Sequence, residues 1–213
     1  MEPRALVHLV DDDEGVRKAL SRLLRSHGLE VESFGDPAEF IRGLDRRPPS
    51  CILLDLQMPG LSGLDLQAEL RARRIQTPLI FITGHGDVPS SVQAMKAGAF
   101  DFLAKPLDES DVMQAIQHAL VADARHRALE AERLEVQARH DQLTDREKQV
   151  LALVITGKLN KQIAADLGIS EKTIKVHRAR VMEKMKAASV ADLVRLAERV
   201  GVRPQPWPLF GTL

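Results

Sequence analysis

Cysteine occurs once in these 213 residues, at Cys51. That excludes an internal disulfide framework and a multi-cysteine metal site. No apolar run approaches the ~18–20 residues that a membrane span needs. The opening residues Met1-Glu2-Pro3-Arg4 lead straight into a strand-like segment, without the layout of a secretory signal. The expectation is a soluble, cytoplasmic chain with no membrane association. Net charge is missing too, since 30 Lys/Arg balance 30 Asp/Glu. With 44% apolar residues and no low-complexity stretch, a wholly disordered chain is excluded. At about 100–200 residues per domain, the length suits one large domain or two small ones.

The zero balance hides an asymmetry. Residues 1–120 hold 13 Lys/Arg and 18 Asp/Glu, residues 121–140 hold four of each, and residues 141–213 hold 13 and 8. An acidic front half suits a cation, and a basic back half suits a polyanion.

Short apolar runs at 5–10, 50–54 and 78–82, with weaker ones at 29–34 and 100–104, have strand length. The strong runs are nearly continuous, as in parallel strands covered on both faces. Helical spacing lies between them. Val16, Leu20, Leu23 and Leu24 repeat at i, i+4, i+7 and i+8, and Asp36-Pro37 reads as an N-cap with proline at the first helical position. Fivefold β-α alternation predicts a doubly wound α/β sheet of five parallel strands. Residues 109–140 contain no Gly or Pro and read as one long helix. Leu129, Val136 and Leu143 stand seven apart, which leaves open a solvated single helix or a pairing with a partner helix. Beyond it, helices are predicted at about 145–156, 160–167, 171–186 and 189–200, with Thr144-Asp145-Arg146-Glu147 as a capping box. The Pro-rich stretch from Pro204 reads as a loose tail.

Ligands of doubly wound sheets sit at the carboxyl ends of the strands. Asp11-Asp12-Asp13-Glu14 follows the first run, Asp55 the third, Thr83 the fourth and Lys105-Pro106 the fifth. Carboxylates brought together repel, so such a site raises a pKa or holds a divalent cation. Oxygen donors without His or Cys favour Mg²⁺, which keeps positions open for phosphate oxygens. An Asp carboxylate can attack phosphorus, while Lys105 and the Thr83 hydroxyl serve two phosphoryl oxygens. Each residue alone has a plainer reading, as a cap, a turn residue or a solvated lysine. The set, each at its own strand end, is harder to discount.

With Asp11-Asp12, Asp55 followed by Met58-Pro59-Gly60, Thr83 and Lys105-Pro106, residues 4–120 resemble the receiver domain of two-component response regulators. The resemblance implies a flavodoxin-like strand order 2-1-3-4-5. It also implies Asp55 as acceptor of a phosphoryl group from a sensor histidine kinase. Mg²⁺ would be arranged by Asp12 directly, Asp11 through water, Asp55, and the backbone carbonyl of Gln57. Asp13 would be a peripheral acid, and the Lys105–Pro106 peptide would be cis. Thr83 and Phe102 would form a switch that reshapes helix 88–97 and strand 100–104 and favours a homodimer. A phosphoaspartate hydrolase would need a second acid two residues after the nucleophile, where this chain has Gln57, so no enzymatic turnover is expected. A small-molecule input domain fits poorly, since the acidic pocket is too hydrophilic.

In the back half, 160–167, Gly168-Ile169-Ser170 and 171–186 read as helix, tight turn, helix, with Ser170 as N-cap. At about 100° per residue, Val181 and Met185 fall within about 20° of Ile174 as a buried stripe. Lys172, Lys175, Ala179, Lys186 and Val176 form the opposite face. Such a face suits a DNA major groove, with Thr173 and Arg180 flanking it toward phosphates. A solvated lysine face is the plain alternative. Leu143-Thr144-Asp145-Arg146-Glu147, Asn160-Lys161-Gln162-Ile163-Ala164 and Thr173-Ile174-Lys175-Val176-His177-Arg178 resemble the four-helix DNA-binding domain of the LuxR/NarL class. That resemblance implies base contacts from Lys175, Val176 and the position of Ala179, with Lys161 among the DNA-contacting residues. The whole chain, including Gly84-His85-Gly86-Asp87-Val88-Pro89, is similar to FixJ-type response regulators. The organisation expected is a receiver at 4–120, a helical linker at 121–141, a helix-turn-helix domain at 142–203 and a tail at 204–213. Promoter DNA and RNA polymerase are the implied partners. The histidines show no metal spacing; His85 lies beside the acidic loops, where it would affect phosphate lifetime, and Cys51 reads as a buried strand residue.

Overall fold

A computed structural model describes residues 5–44, 47–84 and 88–203, the side chains of 88–90 excepted. The tail from Pro204 and the loop residue His85, both singled out above, lie outside the described residues. The first half alternates strand and helix: β1 (Leu6–Val10), α1 (Glu14–Ser26), β2 (Glu30–Phe34), α2 (Pro37–Leu44), β3 (Cys51–Asp55), α3 (Gly63–Ala72), β4 (Leu79–Thr83), α4 (Val88–Lys96) and β5 (Asp101–Ala104). The helix α5 (Glu109–Asp141) follows, then α6 (Asp145–Val154), α7 (Asn160–Leu167), α8 (Glu171–Met185) and α9 (Val190–Arg199). The chain forms two compact units that divide between Arg127 and Ala128, inside α5.

The strands make one parallel sheet in the order β2-β1-β3-β4-β5. Its continuous apolar strands are explained by cover on both faces. Leu9, Leu53, Ile80 and Ile82 pack with Leu20 and Leu24 of α1 and Val112, Ile116 and Ala119 of α5. Val10, Ile52, Leu54 and Phe81 pack with Phe40 and Leu44 of α2 and Leu66 and Leu70 of α3. Helix α2 begins where Asp36-Pro37 predicts, and the Asp36 carboxylate accepts the Ala38 N–H at 2.9 Å. His8, the one polar residue of β1, is fully buried with its ring edge-on to Phe34 and Phe40. Burial lowers its pKa, against the opposing pull of Glu32.

In the second unit, Val136, Leu143, Val150, Leu151, Ile163, Ile174, Val181, Met185 and Leu193 share one core. Of the residues seven apart, Val136 and Leu143 are therefore spent inside this unit, and only Leu129 is exposed. Helix α8 stops at Met185, one residue short of the predicted end, and Lys186 turns left-handed at φ 54°. The capping box forms as predicted: Glu147 accepts from the Thr144 N–H at 2.9 Å while Thr144 caps the Glu147 N–H at 3.3 Å.

Glu147 is also buried and accepts from Lys184 Nζ at 2.6 Å. That bond holds its carboxyl below the usual range. Because folding lowers this pKa, the stabilisation is complete above the ordinary Glu value and is lost as pH falls through the lowered one. Glu147→Gln is expected to destabilise the second unit by about 2 kcal/mol at pH 7, less than a fully buried pair because Lys184 stays one-third exposed. The difference from wild type should shrink toward acid pH. Urea melts at pH 7 and pH 4 check this; an equal loss at both would remove the ion pair from the account.

Candidate functional site

The register sets up the first site. Val10 pairs with Leu54, Asp55 with Ile82 and Thr83 with Ala104. Asp11, Asp55, Thr83 and Lys105 thus end or follow neighbouring strands at one edge of the sheet. Asp11, Asp55 and Thr83 are buried, Lys105 is partly buried and Asp12 is exposed. The helix after Asp55 comes in close: a Cβ on Gly63 would stand 2.5 Å from the Asp55 carbonyl oxygen, so a side chain there would displace the end of β3.

One ligand oxygen from each of Asp11, Asp12 and Asp55 lies within 4.8 Å of the others. Lys105 Nζ donates to Asp11 Oδ2 at 2.9 Å and to Asp55 Oδ2 at 3.2 Å. The Gln57 N–H donates to Asp55 Oδ1 at 3.3 Å. Burial raises the Asp55 pKa and the Asp11 charge adds to it, while Lys105 and the Gln57 amide pull the other way. Burial works against the Lys105 charge, but the two carboxylates outweigh it and leave its pKa raised. Three carboxylates against the Lys105 ammonium and the neighbouring Arg17 guanidinium still leave negative charge uncompensated. That donor set fits a hard divalent cation such as Mg²⁺. The Lys105–Pro106 peptide is cis. Phe102 lies opposite Phe81 in the sheet register and packs, partly buried, against the α2–α3 side of the core.

Two residues beside the site act in ways the family resemblance did not imply. Asp13, expected as a peripheral acid, is the N-cap of α1: its Oδ1 accepts from the Gly15 and Val16 amides at 2.7 and 3.1 Å. Arg17, singled out by no pattern, donates from Nη1 to the backbone carbonyls of Asp11 at 2.6 Å and Asp12 at 2.8 Å. A side chain bonding main-chain carbonyls leaves no periodicity to read.

The second site is the outer face of α8. Ile174, Val181 and Met185 are buried as the stripe predicts. Lys172, Thr173, Lys175, Val176, Ala179, Arg180 and Lys186 are exposed, as is Lys161 on α7. Val176 keeps 46% of its surface open. Ser170 Oγ caps the Thr173 N–H at 3.1 Å and also bonds the Thr173 hydroxyl at 2.8 Å. Arg178 and Arg146 tie α7 in place: Arg178 donates to Asn160 Oδ1 at 2.9 Å, and Arg146 to the Leu167 carbonyl at 2.8 Å.

Two family models match the chain: the response regulator receiver domain over residues 7–117 and the bacterial regulatory proteins of the luxR family over residues 141–197. Among curated proteins, the chain is 48% identical over 201 residues to the transcriptional regulatory protein FixJ of Azorhizobium caulinodans, covering 93% of this chain and 94% of that one. It is 44% identical over 199 residues to nodulation protein W of Bradyrhizobium diazoefficiens, covering 93% and 88%. Among solved structures, the response regulator StyR aligns with a TM-score of 0.80 at 45% identity, covering 92% of this chain and 100% of that one. Full-length FixJ from B. japonicum aligns with a TM-score of 0.58 at 40% identity, covering 93% and 98%.

Proposed function

Because the chain belongs to the two-component response regulators that join a receiver domain to a LuxR-type DNA-binding domain, we propose that a sensor histidine kinase phosphorylates Asp55 and that phosphorylation drives dimerisation and sequence-specific binding to promoter DNA. The protein is a regulator, not a classical enzyme. The observation that carries the reading is the gathering of Asp11, Asp12 and Asp55 around a Lys105 ammonium that bonds two of them.

Asp12, Asp55 and the Gln57 carbonyl would hold the cation, with Asp11 supporting it less directly. Bound there, Mg²⁺ supplies positive charge for the phosphoryl oxygens. An Asp55 carboxylate oxygen attacks the phosphorus of the kinase phosphohistidine. The new O–P bond forms as the P–N bond breaks, and the electron pair returns to the imidazole nitrogen. Lys105 neutralises one phosphoryl oxygen and the Thr83 hydroxyl donates to another. Thr83 is drawn inward, Phe102 turns in behind it, and the surface of α4 and β5 becomes a dimer face.

The domains in this reading are a receiver at 4–120, a linker at 121–141 and a DNA-binding domain at 142–203. Lys175, Val176 and Ala179 face the major groove. Lys161, Lys172, Thr173, Arg180 and Lys186 serve the surrounding phosphates and base edges. The protein works in the cytoplasm, with RNA polymerase as a further partner.

Phosphorylation with acetyl phosphate and Mg²⁺ is expected to shift the protein from monomer to dimer in light scattering. It should also tighten binding to a selected operator fragment at fixed salt. Monomers in both states with unchanged DNA affinity would refute the coupling of phosphate to dimer.

A further inference from the structure

We propose that Arg17 is a positioning residue for the acidic loop, holding the main chain of Asp11 and Asp12 so that both carboxylates can serve one divalent cation. This rests on the reading of that loop as a Mg²⁺ site.

The three carboxylates repel one another, and something must keep them from splaying before a cation arrives. Asp11 and Asp55 are held by their carboxylates, through Lys105. Asp11 is also held through Oδ1, which accepts the Asp13 N–H at 2.8 Å. Asp12 has no such restraint: its exposed carboxylate makes no hydrogen bond or ion pair with a described residue. Its place is set by its main chain, and the side chain that grips that main chain is Arg17.

The grip has features of a designed support. One guanidinium nitrogen bonds two successive carbonyls, with the short distances of charge-assisted bonds. The arginine projects from the first turn of α1, so the loop is referred to a rigid element. Among the described residues it bonds no carboxylate, so it leaves the cation's oxygens free; its charge opposes the cation, and the hold on the main chain has to outweigh that. The turn after β2 leaves room for it: a Cβ on Gly35 would lie 3.1 Å from the Arg17 Cζ. Supports one shell beyond a metal change its affinity by about 10–100-fold when removed.

The test is Mg²⁺ titration of the full chain without phosphodonor, followed by backbone amide NMR shifts of the acidic loop, in wild type, Arg17→Met and Asp12→Asn. Arg17→Met should weaken Mg²⁺ by about 10-fold while far-UV circular dichroism and melting show a folded protein. Acetyl-phosphate labelling of that variant should fall at low Mg²⁺ and recover as Mg²⁺ is raised. Folded Arg17→Met with wild-type affinity, beside an Asp12→Asn that has lost Mg²⁺, would overturn the role of Arg17 and leave the site standing. Unchanged Mg²⁺ binding by Asp12→Asn would overturn the site itself, and the role with it. Should Arg17→Met not fold, Arg17→Gln removes the guanidinium but keeps a polar side chain. It should weaken Mg²⁺ in the same direction, and wild-type affinity in that folded variant would equally overturn the proposal.

Discussion

Asp55→Asn is expected to abolish phosphoryl labelling, whether the donor is a kinase phosphohistidine or acetyl phosphate. The amide has nearly the shape of the carboxylate but no nucleophilic oxygen anion, so the chemistry goes and the packing stays. Stability should move the opposite way. Burial and the Asp11 charge raise the Asp55 pKa, which means that keeping it ionised costs folding free energy above its ordinary range. Neutralising it relieves that cost, so the variant should melt higher than wild type in metal-free buffer at neutral pH. A stable, well-folded Asp55→Asn with undiminished label would mean that another residue is the acceptor.

Lys175→Ala carries the second large effect. Lys175 sits exposed on the outer face of α8, as do Lys172 and Val176. Its ion-pair partner is Glu171 of the same helix, at a loose 3.6 Å, and an exposed pair of that kind offers little resistance to exchange for a phosphate or a guanine edge. Loss of one such contact costs about 1–3 kcal/mol, so operator affinity should fall by about 5- to 150-fold at moderate salt. The slope of log affinity against log salt should flatten by about one if the partner is a phosphate. Thr173 and Ser170 keep the helix capped, so the variant should melt like the wild type. Affinity and slope both unchanged would remove the lysine face from the interface.

Much of this was legible in the residues. The strand ends could be read because apolar runs stop at chemically distinctive residues: Asp55 and Thr83 close β3 and β4, and Asp11 and Lys105 follow β1 and β5 directly. The α8 stripe could be read because Ile174, Val181 and Met185 obey the helical period that burial imposes. The fate of α5 could not. Its residues favour helix throughout, so nothing local tells Ala119, in the core of the first unit, from Val136, in the core of the second. The seven-residue spacing of Leu129, Val136 and Leu143 mixes one exposed residue with two core residues. Arg17 was hidden for a different reason. Its partners are carbonyl oxygens, which every residue has, and only the fold decides which ones a side chain meets. His8 was hidden likewise, because its burial is supplied by Phe34 and Phe40, distant in sequence.

The central claim is that Asp11, Asp12, Asp55, Thr83 and Lys105 form one cation-dependent phosphoacceptor site. A crystal structure of the full chain with Mg²⁺ and beryllofluoride, which mimics a carboxyl-bound phosphoryl group, tests it most directly. The account requires beryllium on an Asp55 oxygen, the cation against Asp12, Asp55 and the Gln57 carbonyl, and fluorides on Lys105 Nζ and the Thr83 hydroxyl. Beryllofluoride on a different carboxylate, or a cation seated away from Asp12 and Asp55, would contradict it.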